Sequence, residues 1–318
     1  MVALPNGIVK SQISQSLISS SLAFKLFPLL YTVNVGLTVT AATFQHYFIL
    51  CKMANGRDSG PILRHSQGSV EIITVNAPTT RNALTLEMCQ SLQRSVLDAS
   101  AAPSARVVVI TGAGKRSFIS GADISEFRRT RADPAVARTA YEAVDQLCRT
   151  IQTLSLPVIA MINGFAVGAG CELAAACDLR VASTSAKLGI TAAKLGINIG
   201  QSHIARLVHL VGMGTARDLL FTARLVSADE AKDMGLVDKV ADPDELATTT
   251  MEMANQIAEM APLSVGWAKA AILRVAEHPD LAYSGDDIYQ VLACYGTSDF
   301  WEGVSAFEDK RKPNFTGS

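Results

Sequence analysis

Three runs of β-branched residues, separated by stretches of helical periodicity, constrain the fold of this chain more than any other feature. The runs are apolar enough for strands that are buried on both faces. The intervening residues 85–100 and 137–154 place apolar side chains at helical spacing, so helices can cover those faces. We therefore predict an α/β fold. The runs are S-V-E-I-I-T-V-N at 69–76, R-V-V-V-I-T-G at 106–112 and P-V-I-A-M-I-N-G at 157–164.

Weaker patterns extend this prediction to the C-terminus. D-L-R-V-A-S at 178–183 is typical of a further strand, and G-L-V-D-K-V at 235–240 of a short final one. Pro262 and Pro279 suit the first turns of helices. Residues 243–311 should therefore form a helical layer that covers a pocket or packs against a neighbouring subunit.

The balance of charge and the spacing of cysteine and histidine narrow the class of partner. Lys and Arg number 28 against 29 Asp and Glu, and neither sign forms a long block. We therefore expect a small, partly apolar ligand and no nucleic acid. The six cysteines form no C-x-x-C pair and the five histidines lack ligand spacing, which predicts reduced thiols and no metal site.

The N-terminal extension, residues 1–63, differs in composition from the remainder. No Asp or Glu precedes Asp58, and 26–50 has no Lys or Arg, so this run is long enough to cross a bilayer. It contains polar residues such as His46, which argue against a membrane span. A cleaved targeting segment, an anchor and a translated upstream region are the alternatives. M-A-N-G-R-D at 53–58 resembles a second translation start. We therefore favour a disordered or dispensable extension of a cytoplasmic protein.

A glycine-rich turn between a strand and a helix start identifies a candidate anion site. In N-G-F-A-V-G-A-G-C-E-L-A-A-A-C-D at 163–178, the N–H groups around Gly168, Ala169 and Gly170 should lie unsatisfied beyond the strand end. A dinucleotide is disfavoured because the last position of the G-x-G-x-x-G/A fingerprint falls on Leu173. The alternative is an oxyanion that develops during a reaction, which needs two N–H donors, each worth roughly 3 kcal/mol.

One glutamate, Glu172, lies within this stretch of small apolar residues. An ionised carboxylate there would lose most of its water. It must therefore pair with another group, turn outward to solvent, or have a shifted pKa that serves its function. Its apolar surroundings favour a raised pKa and a role in proton transfer. The structural alternative is a helix-start glutamate that interacts favourably with the helix dipole.

A second turn of small residues could supply the other donor. S-F-I-S-G-A-D-I-S-E-F at 117–127 follows a predicted strand and places Ser120, Gly121 and Ala122 before Asp123. Considered alone, this segment could equally be an ordinary strand-to-helix turn that Asp123 caps.

Together, the two turns resemble the crotonase superfamily, the enoyl-CoA hydratases and isomerases. The resemblance covers roughly residues 64–318 and excludes the first fifty or so. Supporting matches are R-N-A-L-T at 81–85, L-F-T-A-R-L-V-S-A-D-E-A at 220–231, G-L-V-D-K-V at 235–240 and E-G-V-S-A-F-E-D-K-R-K-P-N-F at 302–315.

The resemblance implies a fold and a type of ligand. The fold would be a spiral of β-β-α units with a core at 64–242, followed by a helical region at 243–318 through which family members assemble as trimers or dimers of trimers. The substrate would be an acyl-CoA thioester, and no separate cofactor is expected because coenzyme A is part of the substrate. Lys310, Arg311 and Lys312 could approach a CoA phosphate, although a solvated surface cluster is favoured.

By resemblance, the backbone N–H groups of Ser120 and Ala169 form an oxyanion hole that polarises the thioester carbonyl, and Glu172 is the catalytic acid-base residue. Alanine at 169, where many members have glycine, keeps the donor if the backbone torsions there do not require glycine. The substrate-binding residues that the resemblance implies are Ser120, Gly121, Ala122, Asp123, Gly168, Gly170 and Ala192.

The chain departs from the family at the position of a second glutamate. Hydratases of the family use two glutamates, and the expected second one falls on Ala192, in a stretch without any carboxylate between Asp178 and Asp218. Lys194 and His203 lie nearby in sequence, but we expect Lys194 to reach solvent and His203 to cap or pack. General acid-base chemistry would then depend on Glu172 alone.

We therefore predict a lyase that resembles enoyl-CoA hydratases. The runner-up is an enoyl-CoA isomerase, in which one carboxylate carries a proton between carbons. Decarboxylation and thioester hydrolysis are further alternatives. A family member that only binds acyl-CoA or RNA without turnover is the alternative from a different class.

Overall fold

The three β-branched runs form central strands of a large sheet. The computed structural model describes residues 60–281, 285 and 287–318, and Asp58–Ser318 form a single structural unit. The strands in this part of the chain are β1 Ile62–Gln67, β2 Val70–Val75, β3 Val107–Gly112, β4 Ser117–Ile119, β5 Val158–Ile162, β6 Phe165–Val167, β7 Leu179–Ser183, β8 Lys187–Gly189, β9 Val226–Ser227 and β10 Lys239–Ala241.

Six of the strands form one sheet in the order β1-β2-β3-β5-β7-β10. Its neighbouring strands pair in parallel, except for the antiparallel hairpin of β1 and β2. Every residue of β2 and β3 is buried, as expected for strands covered on both faces. The strands predicted at 69–76, 106–112, 157–164 and 178–183 are confirmed.

A second, smaller sheet has the order β4-β6-β8-β9. Its strands are only two or three residues long, and sequence periodicity did not predict them. β4, β6 and β8 pair in parallel and β9 closes the sheet in the antiparallel direction.

The two sheets are linked by a repeated connection. In each of the pairs β3–β4, β5–β6 and β7–β8, the chain places one strand in the large sheet and the next in the small sheet. Helices follow all three of these sheet crossings, which confirms the expected spiral of β-β-α units. Because β4 and β6 are parallel neighbours, their C-terminal ends lie side by side.

The helices begin at recognisable caps. The Thr85 side chain accepts the Met88 N–H at the start of the first helix, and Asp133 with Pro134 starts the third. These two helices confirm the predictions at 85–100 and 137–154. The α-helices of the described residues are α1 Leu86–Ser100, α2 Phe127–Thr130, α3 Pro134–Thr153, α4 Ala169–Ala176, α5 Gln201–Thr222, α6 Ala228–Asp233, α7 Leu246–Ala258, α8 Pro262–Glu277, α9 Ile288–Cys294 and α10 Ser298–Glu308.

The strand predicted at 235–240 is confirmed only at Lys239 and Val240 and is wrong at 235–238. Gly235 has φ 82°, and the N–H groups of Leu236 and Val237 both donate to the carbonyl of Ala231. These residues therefore terminate α6 as a C-terminal cap. The chain becomes extended only at β10, which pairs with β7.

The large sheet separates two hydrophobic clusters. The larger cluster includes Ile73, Ile110 and Leu173 and extends to α1, α3, α4 and α5. The smaller cluster lies on the opposite face, where α7 covers alternate residues of the strands. Members of this smaller cluster are Val70, Ile72, Val107, Val109, Ile159, Val181, Leu246 and Ala254.

The C-terminal region is helical, as predicted. Pro262 occupies the first turn of α8, whereas Pro279 begins only a 3-10 turn, Pro279–Leu281. Within the described residues, no helix combines the length and apolar character needed to span a bilayer. The apolar run at 26–50 lies outside these residues, as does nearly all of the predicted extension at 1–63; the division at 64 and 242 stays a prediction.

Candidate active site

The two turns singled out in the sequence meet at the C-terminal ends of β4 and β6. Gly121, with φ 120°, lies so close to β6 that a Cβ there would be 3.2 Å from the carbonyl oxygen of Val167. A Cβ on Gly168 would lie 3.9 Å from the Cα of Gly121. A Cβ on Gly170 would overlap the carbonyl of Ile119, the last residue of β4. Glycine therefore allows the two backbones to touch.

Hydrogen bonding in the first turn decides which N–H group is free. Leu84 forms an isolated parallel bridge with Ala122. The Leu84 N–H donates to the carbonyl of Gly121, and the Asp123 N–H donates to the carbonyl of Leu84. The Ser120 N–H donates to the carbonyl of Arg81 at 3.3 Å. Along an extended strand, alternate N–H groups point to opposite sides. The Ala122 N–H thus points away from Leu84 and has no acceptor among the hydrogen bonds of the described residues.

This pattern contradicts the expectation that Ser120 supplies an oxyanion donor, because its N–H already has a carbonyl partner. The Ser120 hydroxyl is also directed towards the protein, at 3.5 Å from the carbonyl of Thr80. Asp123 accepts the N–H of Ser125 at 2.9 Å and so caps the following 3-10 turn. Asp123 therefore acts as the N-terminal cap of this turn, one of the two roles considered for it from the sequence.

The second turn presents its donor at the start of α4. Gly168 takes the torsions that glycine permits, with φ 54° and ψ −120°, and its N–H donates to Gly189 at 2.9 Å. Ala169 is the first helical residue, so its torsions do not require glycine. Its N–H is one of the unpaired donors of a helix start, and no acceptor for it occurs in the part of the chain that the structure describes.

Glu172 lies one helical turn after Ala169, on the same side of α4. Its side chain is only 12% exposed. Burial raises the pKa of Glu172 to about 7; Arg206 acts in the opposite direction and Asp145 in the same one. At neutral pH the carboxyl is therefore divided between its protonated and ionised forms.

His203 and Arg206, on α5, complete the surroundings of this carboxyl. The Nδ1 atom of His203 lies 3.2 Å from Oε2 of Glu172 and 3.1 Å from Nη1 of Arg206. Burial lowers the pKa of His203 to about 4; the charge of Arg206 acts in the same direction and that of Asp145 in the opposite one. Between about pH 4 and pH 7, both Glu172 and His203 are therefore neutral in their predominant forms, and their contact is not an ion pair.

Asp145 on α3 holds the side chain of Arg206 in place beside His203 and Glu172. Its Oδ1 accepts the Ser202 hydroxyl at 2.7 Å and Nη2 of Arg206 at 3.1 Å. Gln152 accepts the Nε of Arg206 at 2.7 Å. Burial alone would raise the pKa of Asp145, but these hydrogen bonds and the charge of Arg206 outweigh it and lower the pKa. Asp145 is therefore a fixed anion that holds Arg206 in place.

Sequence reasoning expected His203 to pack and did not identify Arg206 or Asp145. His203 is buried as expected, but it also contacts the predicted acid-base residue. The spacing of His203 and Arg206, three residues apart, was the available signal, since such residues share one face of a helix.

Ala192 begins the 3-10 turn Ala192–Leu195 and is half-buried against the larger hydrophobic cluster. No carboxylate replaces the missing glutamate in this turn. Lys194 is exposed, as expected. Among the residues described, no group of His, Cys, Asp and Glu side chains is arranged to hold a metal ion.

The basic residues near the C-terminus are partly engaged with acidic side chains. Arg311 forms two hydrogen bonds with the carboxylate of Glu302, at 2.6 and 2.9 Å, and Lys312 lies 3.6 Å from Glu259. Their approach to a CoA phosphate stays a prediction.

Comparison with known proteins gives a consistent result. Residues 65–318 match the family model described as Enoyl-CoA hydratase/isomerase. The chain is 37% identical over 254 residues to the short-chain-enoyl-CoA hydratase of Clostridium acetobutylicum, covering 79% of this chain and 95% of that protein. It is 37% identical over 256 residues to the crotonyl-CoA hydratase of Syntrophomonas wolfei, covering 80% and 97%. The crystal structure of an enoyl-CoA hydratase from Bacillus anthracis matches with a TM-score of 0.75 and 35% identity, over 81% of this chain and all of that one.

Proposed function

The chain belongs to the enoyl-CoA hydratase/isomerase family, and on this basis we propose that it adds water across the double bond of a 2-enoyl-CoA. The observation that carries the proposal is the position of Glu172. Its buried carboxyl, with a pKa raised to about 7, lies one turn from the free N–H of Ala169. A base near its own pKa can both accept and return a proton at neutral pH.

In the proposed reaction, the thioester carbonyl oxygen binds between the N–H groups of Ala122 and Ala169. These donors stabilise the negative charge that develops on the oxygen as an enolate forms, and each contributes about 3 kcal/mol in the transition state. The free N–H of Ala122 supports its assignment in place of Ser120. Gly121, Gly168 and Gly170 allow the two turns to approach closely enough for the donors to act together.

Glu172 would perform both proton transfers. Its ionised carboxylate accepts one proton from the attacking water while the hydroxide oxygen forms a bond to the β-carbon. The electron pair of the double bond moves to the thioester carbonyl as the enolate. The protonated carboxyl then donates its proton to the α-carbon, so that one water is added and Glu172 returns to its ionised form.

The absence of a carboxylate at Ala192 gives an isomerase some support. A single acid-base group can remove a proton from one carbon and return it to another, which converts a 3-enoyl-CoA into a 2-enoyl-CoA. Asp145 does not offer a second acid-base group, because Ser202 and Arg206 occupy its oxygen and lower its pKa. Hydration by Glu172 alone should therefore be slow.

Incubation with a 2-enoyl-CoA and, separately, a 3-enoyl-CoA distinguishes these reactions. We expect loss of the conjugated double bond with the first substrate, and a decrease of at least about 10²-fold in kcat for Glu172→Gln. Glu252→Gln, at an exposed position on α7, is the matched control and should retain full activity. Turnover that Glu172→Gln leaves unchanged would refute the assignment of Glu172. Failure to turn over either substrate would favour decarboxylation, thioester hydrolysis or binding alone.

We also propose that the chain assembles as a homotrimer or a dimer of trimers. The C-terminal helices expose large apolar side chains, including Ile272 at 70%, Tyr289 at 80%, Trp301 at 61% and Phe307 at 86%. A monomer seldom exposes so many together. Light scattering of the purified protein tests the assembly, and a monomeric mass would refute it.

A further inference from the structure

His203 lies between the proposed catalytic carboxyl and the nearest positive charge. Its Nδ1 is 3.2 Å from Glu172 and 3.1 Å from Nη1 of Arg206, and its Nε2 is 3.9 Å from Asp145. The ring edge of Tyr141 on α3 packs against it at a centroid distance of 6.0 Å. The titratable or charged groups that face Glu172 are Asp145 and Cys148 on α3, Cys171 on α4, and His203 and Arg206 on α5.

The hydrogen-bond partners of His203 define its protonation. An arginine guanidinium can only donate, so the contact with Arg206 requires Nδ1 to act as an acceptor. The ring proton then resides on Nε2, on the side of Asp145. Nδ1 also lies 3.2 Å from Oε2 of Glu172, so its lone pair would repel an ionised carboxylate, whereas a neutral carboxyl can share it as a second hydrogen-bond donor.

Arg206 has few alternatives to this arrangement. Its Nε is held by Gln152 and its Nη2 by Asp145, while Nη1 donates to His203. Without the His203 acceptor, Nη1 would be a buried donor without a partner on that side, and an unsatisfied buried donor is costly. The carboxyl of Glu172 borders the vacated position, because its Oε2 lies 3.2 Å from the place of Nδ1.

We propose that His203 is a positioning residue for Glu172: by accepting the N–H of Arg206, it prevents the guanidinium from forming an ion pair with the catalytic carboxyl. This inference rests on the proposed function, since it concerns the group that transfers the proton. A direct ion pair would hold Glu172 in its ionised form and turn it towards α5, away from the oxyanion donors. An opposite charge within about 4–6 Å typically lowers a carboxyl pKa by 1–3 units.

Substitutions of His203 test this role. His203→Ala and the bulkier His203→Leu remove the acceptor, so the pKa of Glu172 should fall by at least about one unit in whichever of them folds. His203→Asn places an amide oxygen three bonds from Cα, as Nδ1 is in histidine, and should keep the pKa within about half a unit of the wild-type value. His209→Ala, at an exposed position on the same helix, is the matched control.

Two measurements are needed. Carbon-13 NMR of side-chain-labelled glutamate gives the pKa of Glu172 without any turnover, and the acid limb of kcat/KM against pH gives it during the reaction. We expect both to shift to lower pH in His203→Ala, and a second substitution, Arg206→Met, to shift the NMR pKa upward again.

An unchanged or higher pKa of Glu172 in the alanine and leucine variants would overturn the proposal, as would an asparagine variant that behaves like alanine. A purely structural role would reduce stability or activity without moving the titration. Because the NMR titration needs no substrate, a protein that fails to hydrate any enoyl-CoA would refute the proposed function and still give a decisive result for His203.

Discussion

Glu172→Gln should stabilise the folded protein, and the gain should grow with pH. Burial raises the pKa of Glu172 from an ordinary value of 4.5 to about 7. Between these values the unfolded chain releases a proton that the folded protein retains, so wild-type stability falls as the pH rises from about 4.5 to about 7 and is level above that. Glutamine is neutral throughout and avoids this loss. The difference amounts to about 3 kcal/mol at pH 8 and to about 1 kcal/mol or less at pH 5.

Urea unfolding of both proteins at pH 5, 6, 7 and 8 measures this difference directly. Protein concentration is kept constant, since assembly of subunits would contribute to the apparent stability. Glu252→Gln serves again as the control, because its exposed carboxyl should give a small difference that does not vary with pH. A stability difference between wild type and Glu172→Gln that is independent of pH, or that decreases above pH 7, would show that the carboxyl is not desolvated in the folded protein.

Three further substitutions test separate parts of the structure. Ala169→Pro removes one N–H at the first position of a helix, where proline is tolerated, so kcat should fall by about 10²–10³-fold while circular dichroism stays unchanged; normal kcat would exclude this donor. Gly170→Ala forces a Cβ into the carbonyl of Ile119 and should cost at least about 1–3 kcal/mol in urea unfolding; a neutral effect would show that the turns do not touch. Lys269→Ala leaves the partly buried carboxylate of Asp178 without the ammonium group 2.7 Å away and should cost about 1–3 kcal/mol in the same assay, whereas a cost near zero would contradict the pairing.

The large sheet could be predicted because its strands are buried on both faces and therefore appear as continuous β-branched runs. The small sheet could not, since β4, β6 and β8 have three residues each and so few residues show no periodicity. At 235–240, the apolar pair Leu236–Val237 suggested a strand, but Gly235 caps α6 there instead.

For the site, the motifs identified Glu172 and the turn at Gly168 correctly as neighbours in one helix start. The free donor of the other turn was misplaced by two residues. The Ser120 N–H is engaged by the carbonyl of Arg81, and the bridge to Leu84 turns the Ala122 N–H outward; a local sequence pattern shows neither partner.

The cluster around Glu172 was missed for a related reason. Arg206 and Asp145 are 61 residues apart in sequence and meet only because α3 and α5 pack against α4. Each side chain alone is an ordinary helical charge, so their combined effect on the pKa of Glu172 appears only in three dimensions.

The separation of the two hydrophobic clusters by the large sheet has a consequence for how this protein can change. Glu172 and the groups around it lie on the side of α3, α4 and α5, whereas α7 packs against the opposite face. Substitutions such as Val70→Ala or Val107→Ala should shift the denaturation midpoint without altering the proposed proton transfer by Glu172. Stability can therefore be lost or regained on one face of the sheet while selection for substrate and rate acts on the other.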